Sequence, residues 1–134
     1  MKLDISALEK AVERLQEGLL RYQQDIRDAQ IRDGLVQRFE FTYELSHKLL
    51  KRYLESVSPS PATLDAMPFA DLIRTASEQG LLRSDWPTWR GYREMRGKTS
   101  HAYDEQVAMA VVAGIPDFLA EALFLRDQLR LRVA

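Results

Sequence analysis

An all-α fold, an antiparallel up-and-down helical bundle of about five helices with three long and two shorter, is predicted by three observations. Apolar residues recur in steps of three and four along most of the chain, no stretch alternates with period two, and no glycine sits beside aspartate or asparagine in a hairpin context. At 134 residues the chain has the length of one domain with one sizeable core, so residues 1–134 are expected to form a single unit.

Each element follows from its own pattern. Ile5, Leu8, Val12, Leu15, Leu19, Tyr22 and Ile26 form one stripe on a long amphipathic helix, and Ser6 with Glu9 has the spacing of a capping box at its start. A second long helix runs from about Ile31 to Val57, with Leu35, Phe39, Tyr43, Leu50 and Tyr53 on one side and Phe41, Leu45 and Leu49 beside them. Its wide apolar circumference makes it the expected most buried helix. Ser58-Pro59-Ser60-Pro61 then reads as a connector, because each proline lacks an amide hydrogen and pushes its predecessor out of helical geometry. Met67 to Leu82 suits a shorter helix that stops near Gly80. Asp85 can cap the next, with Pro87 in its first turn and Trp86, Trp89, Tyr92 and Met95 along it. The last helix begins near Asp104 and passes through Val107, Val111, Ile115, Phe118, Ala122, Leu125 and Leu129, with Gly114 and Pro116 expected to kink or divide it. The long stripe of the first helix exceeds what one bundle needs, which suggests a homodimer.

Composition narrows the function. With 46% hydrophobic and 29% charged residues this is an ordinary globular chain rather than a disordered one. No apolar run reaches the ~18 residues that span a bilayer, so no membrane association is expected. The absence of cysteine excludes disulfides, thiolate catalysis and cysteine-ligated zinc, and the N-terminus lacks a signal-peptide pattern, which makes the cytoplasm the expected location. A net charge of -1 argues against non-specific coating of nucleic acid.

The reactive inventory is short. Glu44 and His47 have the Glu-x-x-His spacing of di-iron bundles, but a second such unit is missing, so the pair reads as a polar helix edge and no metal or cofactor is expected. Between Trp86 and Tyr103, Arg90, Arg93, Arg96 and Lys98 stand against Glu94 alone, a local charge of about +3, interleaved with Trp86, Trp89, Tyr92 and Tyr103. Cations among aromatics can hold phosphates and stack bases, although tryptophans three apart also suit a core and arginines also suit a solvated face. Within that segment an arginine, Arg96, is followed after four residues by His101 and then by Tyr103. Histidine can take the proton of a ribose 2′-hydroxyl or give one to a leaving oxygen, and arginine can hold the non-bridging phosphate oxygens. The arrangement points to phosphodiester cleavage in RNA, with two copies across a dimer axis supplying the second histidine.

Two stretches carry a resemblance: Asp33-Gly34-Leu35-Val36-Gln37-Arg38-Phe39-Glu40-Phe41-Thr42-Tyr43-Glu44-Leu45, and Thr99-Ser100-His101-Ala102-Tyr103-Asp104-Glu105. Together they resemble the small HEPN-type proteins called nucleotidyltransferase substrate-binding proteins, over nearly the whole chain. The resemblance implies a HEPN-like helical bundle, commonly dimeric, that forms a complex with a minimal nucleotidyltransferase. Related HEPN proteins are metal-independent ribonuclease toxins of two-component modules, some neutralised by transfer of adenylate to the motif's tyrosine. It implies that Arg96 binds phosphate, His101 acts as acid or base, and Tyr103 is the candidate AMP acceptor. Arg90, Arg93 and Lys98 are the candidate nucleotide- or RNA-binding cations, and Asp33, Arg38 and Glu40 match the second-helix signature as supporting residues. Gly97 departs from the family, whose members usually carry asparagine or another polar residue after the arginine. Two functions therefore stand side by side: a toxin-like ribonuclease, and a non-catalytic substrate-binding or assembly subunit of the nucleotidyltransferase complex.

Overall fold

The computed structural model describes residues 3–133. Six α-helices and a 3-10 turn follow one another, with no strand among the described residues: α1 (Ser6–Gln24), α2 (Ala29–Val57), α3 (Pro61–Asp65), α4 (Phe69–Glu78), α5 (Trp86–Lys98), the 3-10 turn (Thr99–His101) and α6 (Glu105–Val133).

Aspartates cap three of the six helix starts. The Asp28 carboxylate accepts from the amides of Gln30 and Ile31 at 2.9 and 3.1 Å, Asp85 from Trp86 at 2.7 Å, and Asp104 from Gln106 and Val107 at 2.9 and 3.2 Å. The Ser6–Glu9 capping box does not form. Ser6 lies inside α1, its amide donates to Asp4 at 2.9 Å, and Glu9 instead accepts from Arg130 Nε at 2.6 Å. The connector after α2 holds an extra turn of helix, α3, with Pro61 at the position where a missing amide is harmless. Gly80 has φ +77°, the left-handed conformation that closes α4 and lets the Leu81 amide reach back to the Ala76 carbonyl.

Cross-helix contacts give the directions. Glu9 meets Arg130 and Tyr22 donates to Met109 Sδ, so α1 and α6 are antiparallel; Thr42 donates to the Ala11 carbonyl and Arg38 to that of Arg14, so α1 and α2 are antiparallel too. Tyr92 donates to Asp117 at 2.9 Å while the Arg83 amide donates to Glu121, which sets α5 antiparallel to α6. Phe118 of α6 lies at the centre. Its ring meets Phe39 at 4.9 Å, Tyr92 at 5.2 Å and Trp89 at 6.2 Å, all near edge to face.

Several expectations change here. The stripe of α1 ends at Tyr22, because the helix stops at Gln24 and leaves Ile26 64% exposed. Ile5 through Tyr22 are buried against α2 and α6 of the same chain, so this stripe creates no demand for a second copy. Phe41 is 52% exposed, on the side of α2 away from Phe39 and Tyr43. By a margin of one residue the most buried helix is α6, with ten buried residues against nine in α2; it packs on α1, α2 and α5. That position also explains its apolar composition: by length and composition alone α6 is long and apolar enough to cross a membrane, contrary to the expected absence of any such run. Gly114 and Pro116 do not divide α6, which continues through both. Packing on three sides compensates the amide lost at Pro116, and Gly114 receives Met95, whose Sδ would lie 2.6 Å from a Cβ there.

Glu121 is fully buried in α6. One carboxylate oxygen accepts from the Arg83 amide at 2.8 Å and anchors the loop that leads into α5, while the other has no hydrogen-bond partner. Burial pushes this carboxyl above its usual range, and Asp117 nearby adds to the shift. A carboxyl raised on folding stabilises the fold below the unfolded-state value and loses that contribution as pH rises through the folded-state value. In thermal melts at pH values from the ordinary carboxylate range upward, Glu121→Gln, which keeps the acceptor and removes the charge, should gain stability relative to wild type as pH rises.

Candidate functional site

Along α5 the inward residues run Trp89, Tyr92, Arg96 and Thr99, in steps of three and four. Trp89 and Tyr92 enter the core, so the same face carries Arg96 towards α2 where the core ends. There α2 offers Glu40 and Glu44, four residues apart and therefore stacked on one helical face. Arg96 Nε donates to Glu44 Oε1 at 3.2 Å and Nη2 donates to the same oxygen; Glu40 Oε1 lies 3.6 Å from Nη2. Nη1 donates to Thr99 Oγ1 at 3.1 Å, and that hydroxyl donates to the Arg96 carbonyl at 2.7 Å. The Arg96 side chain keeps 29% of its surface exposed, and the hydrogen bond to Glu44 raises its already high pKa further.

Beyond Arg96 the chain tightens. Ser100 donates to the Gly97 carbonyl at 3.2 Å, and the amides of Ala102 and Asp104 reach back to the carbonyls of Thr99 and His101. This short turn leaves the His101 imidazole exposed and Tyr103 89% exposed, their rings 6.3 Å apart. Gly97 faces open space, so the glycine answers no steric demand. A groove of about 280 Å³ runs beside the turn, lined by Asp33, Val36, Gln37 and Glu40 of α2 with Thr99, Ala102 and Tyr103. A larger cavity, about 450 Å³, lies at the far end of the bundle around Leu3, Glu9 and Arg130, away from these groups.

The structure therefore brings Arg96, Glu40, Asp33, His101 and Tyr103 to one end of the bundle. Asp33 also meets Arg32 at 3.5 Å, whose Nη1 bridges to Glu105 at 3.2 Å and ties the start of α2 to the start of α6. Arg38 is not among them. Two residues from Glu40 it faces the opposite way, donates to the Arg14 carbonyl at 2.7 Å and packs over Gly18, so it supports the α1–α2 seam. Arg90 pairs with Glu94 at 3.5 Å on the solvent side of α5, and Lys98 is exposed. Arg93 lies over the Phe69 ring at 5.5 Å, where the His47 ring meets Phe69 edge-on at 4.5 Å.

His47 thus turns to an aromatic neighbour, and Glu44, its partner in the Glu-x-x-His spacing, turns to Arg96. Among the described residues no group of three or more potential ligands could hold a metal ion. Burial, then Lys51 and Arg93, hold the His47 imidazole below its ordinary pKa, and burial pushes the Tyr43 hydroxyl up to about 12. The contribution of Glu44 and Thr99 is new relative to the sequence reading. Two like charges at i, i+4 repel unless a cation sits between them, and that spacing was the available signal.

The family model for "Nucleotidyltransferase substrate binding protein like" matches residues 3–131. The chain belongs to this family. A solved structure from Haemophilus influenzae, described as revealing the fold of a substrate binding domain of a nucleotidyltransferase, superposes with a TM-score of 0.89 at 37% identity over 95% of this chain and 99% of that one. A second, from Thermus thermophilus, gives 0.74 at 31% identity over 92% and 98%. A Haemophilus influenzae protein named "Probable ribonuclease HepT" is 39% identical over 139 residues, 98% of this chain and 94% of that protein.

The packing of Arg93 on Phe69 has a measurable consequence at His47. Histidine resonances followed by NMR through a pH titration should show His47 titrating below the ordinary value, and Arg93→Ala should move its midpoint upward. An unchanged midpoint would show that burial and Lys51 account for the shift without Arg93.

Proposed function

We propose that this chain is the helical partner of a minimal nucleotidyltransferase in a two-component, toxin-antitoxin-like module of the cytoplasm, and that it cleaves RNA without a metal through Arg96 and His101. The observation that carries the reading is an arginine held in place by Glu44 and Thr99, followed five residues later by an exposed histidine at the same end of the bundle. The name of the Haemophilus relative and the description of the solved neighbour favour the same pairing of ribonuclease and nucleotidyltransferase partner.

The chemistry needs few groups. His101 takes the proton of a ribose 2′-hydroxyl, the 2′-oxygen attacks the adjacent phosphorus, and Arg96 holds the non-bridging oxygens as charge builds. The bond from phosphorus to the 5′-oxygen breaks, leaving a 2′,3′-cyclic phosphate. A second protonated imidazole, His101 of a second copy in a homodimer, gives its proton to the departing oxygen. Arg93 and Lys98, which have no carboxylate partner among the described residues, are the proposed contacts to the strand, and Arg90 contributes long-range attraction only, since Glu94 pairs with it.

Purified chain should cleave single-stranded RNA in the presence of a chelator, and His101→Ala should slow the reaction by roughly 100-fold or more. RNA left intact by the wild-type chain would reject cleavage. It would favour the second reading, a non-catalytic subunit that presents substrate to the nucleotidyltransferase, which the prior engagement of Arg96 by two carboxylates supports.

Tyr103 is the proposed acceptor of AMP from the partner, as its exposed hydroxyl can be reached by a second active site. Intact mass spectrometry after incubation with the partner and ATP should show one added adenylate, absent in Tyr103→Phe. Adenylate on the Phe variant would place the acceptor elsewhere.

A further inference from the structure

We propose that Glu44 is a positioning residue for Arg96, one that sharpens the aim of the guanidinium while weakening its pull on phosphate; this role rests on the RNA-cleavage reading above. A guanidinium carries five N–H donors in one plane. The Nε–Nη2 edge is taken by Glu44, with Glu40 Oε1 at 3.6 Å, and Nη1 is fixed from the other side by Thr99 Oγ1 at 3.1 Å. The plane is therefore set by a rigid helix on one edge and by the local backbone on the other. Nη1 carries two hydrogens and Thr99 takes one of them, so donor capacity remains on Nη1.

Aim and attraction oppose each other in this arrangement. Glu40 and Glu44 place two negative charges around the single positive charge of Arg96, so an incoming phosphate meets a site whose cation is already compensated. A freely rotating arginine would attract the phosphate more strongly and hold it less often in the orientation that in-line attack needs. Removing the carboxylate should thus move binding and turnover in opposite directions. Loss of a merely structural contact would weaken both.

The test measures two quantities on wild type, Glu44→Ala, Glu44→Gln and Arg96→Ala. One is single-turnover cleavage of a short RNA, and the other is fluorescence-anisotropy binding of the same RNA made uncleavable by a 2′-deoxy ribose at the scissile position. Glu44→Ala should bind the uncleavable RNA roughly three- to tenfold more tightly, as expected for a partly exposed charge. It should cleave roughly 10- to 100-fold more slowly at saturation. Glu44→Gln, which keeps an acceptor and loses the charge, should bind equally tightly and recover most of the wild-type rate. Glu44 is exposed, so thermal melts of the two Glu44 variants should stay close to wild type.

If Arg96→Ala lowers binding and cleavage while Glu44→Ala changes neither, or lowers both together, the positioning role is overturned and the cleavage reading stands. If the wild-type chain cleaves no RNA, or binds it as Arg96→Ala does, the cleavage reading falls and the role of Glu44 falls with it.

Discussion

The packing of Phe118 against Phe39, Tyr92 and Trp89 holds the rest of the molecule in register. Those rings belong to α2, α5 and α6, so one cluster fixes the mutual position of the three helices that build the site. Each buried aromatic side chain contributes on the order of 2–3 kcal/mol through burial alone. Their edge-to-face geometry also restricts rotation of α5 about its axis. Because Trp89 and Tyr92 are locked, the next inward positions, Arg96 and Thr99, can face only α2. The grip of Glu44 on Arg96 is thus prepared by apolar packing some two turns away.

Charge behaves differently in the fold than in the formula. The segment from Trp86 to Tyr103 counts about +3 by residue type. In the folded chain Arg90 is paired with Glu94 and Arg96 with Glu40 and Glu44, which leaves Arg93 and Lys98 as the cations of this segment without a carboxylate partner among the described residues. Little general attraction for a polyanion remains. What remains is directional: one clamped guanidinium, one exposed imidazole and a groove whose walls carry Asp33 and Glu40.

Most of the fold was legible because burial follows periodicity. The stripes of α5 and α6, that of α1 as far as Tyr22, the Asp85 cap and the Gly80 stop appear where the spacing of residues placed them. Failures came where a tertiary partner overrode a local rule. Glu9 left its capping box for Arg130, a residue 121 positions away, and Pro116 was absorbed by packing on three sides. At the site, Arg96, His101 and Tyr103 are close in sequence and could be read together. Glu44 lies 52 residues from Arg96, and no local pattern on α2 names the cation it holds. Arg38 shows the converse, since a residue beside Glu40 in sequence points to the opposite side of the helix.

The turn from Thr99 to Tyr103 contains the groups with the greatest chemical potential and very little of the hydrophobic core. Of its five residues only Thr99 is buried. Substitutions at the exposed positions Ser100, His101 and Tyr103 remove little buried surface, so stability places little restraint on which side chains occupy them. Chemistry at this end of the bundle is therefore free to be lost, retuned or regained during descent while the scaffold stays constant.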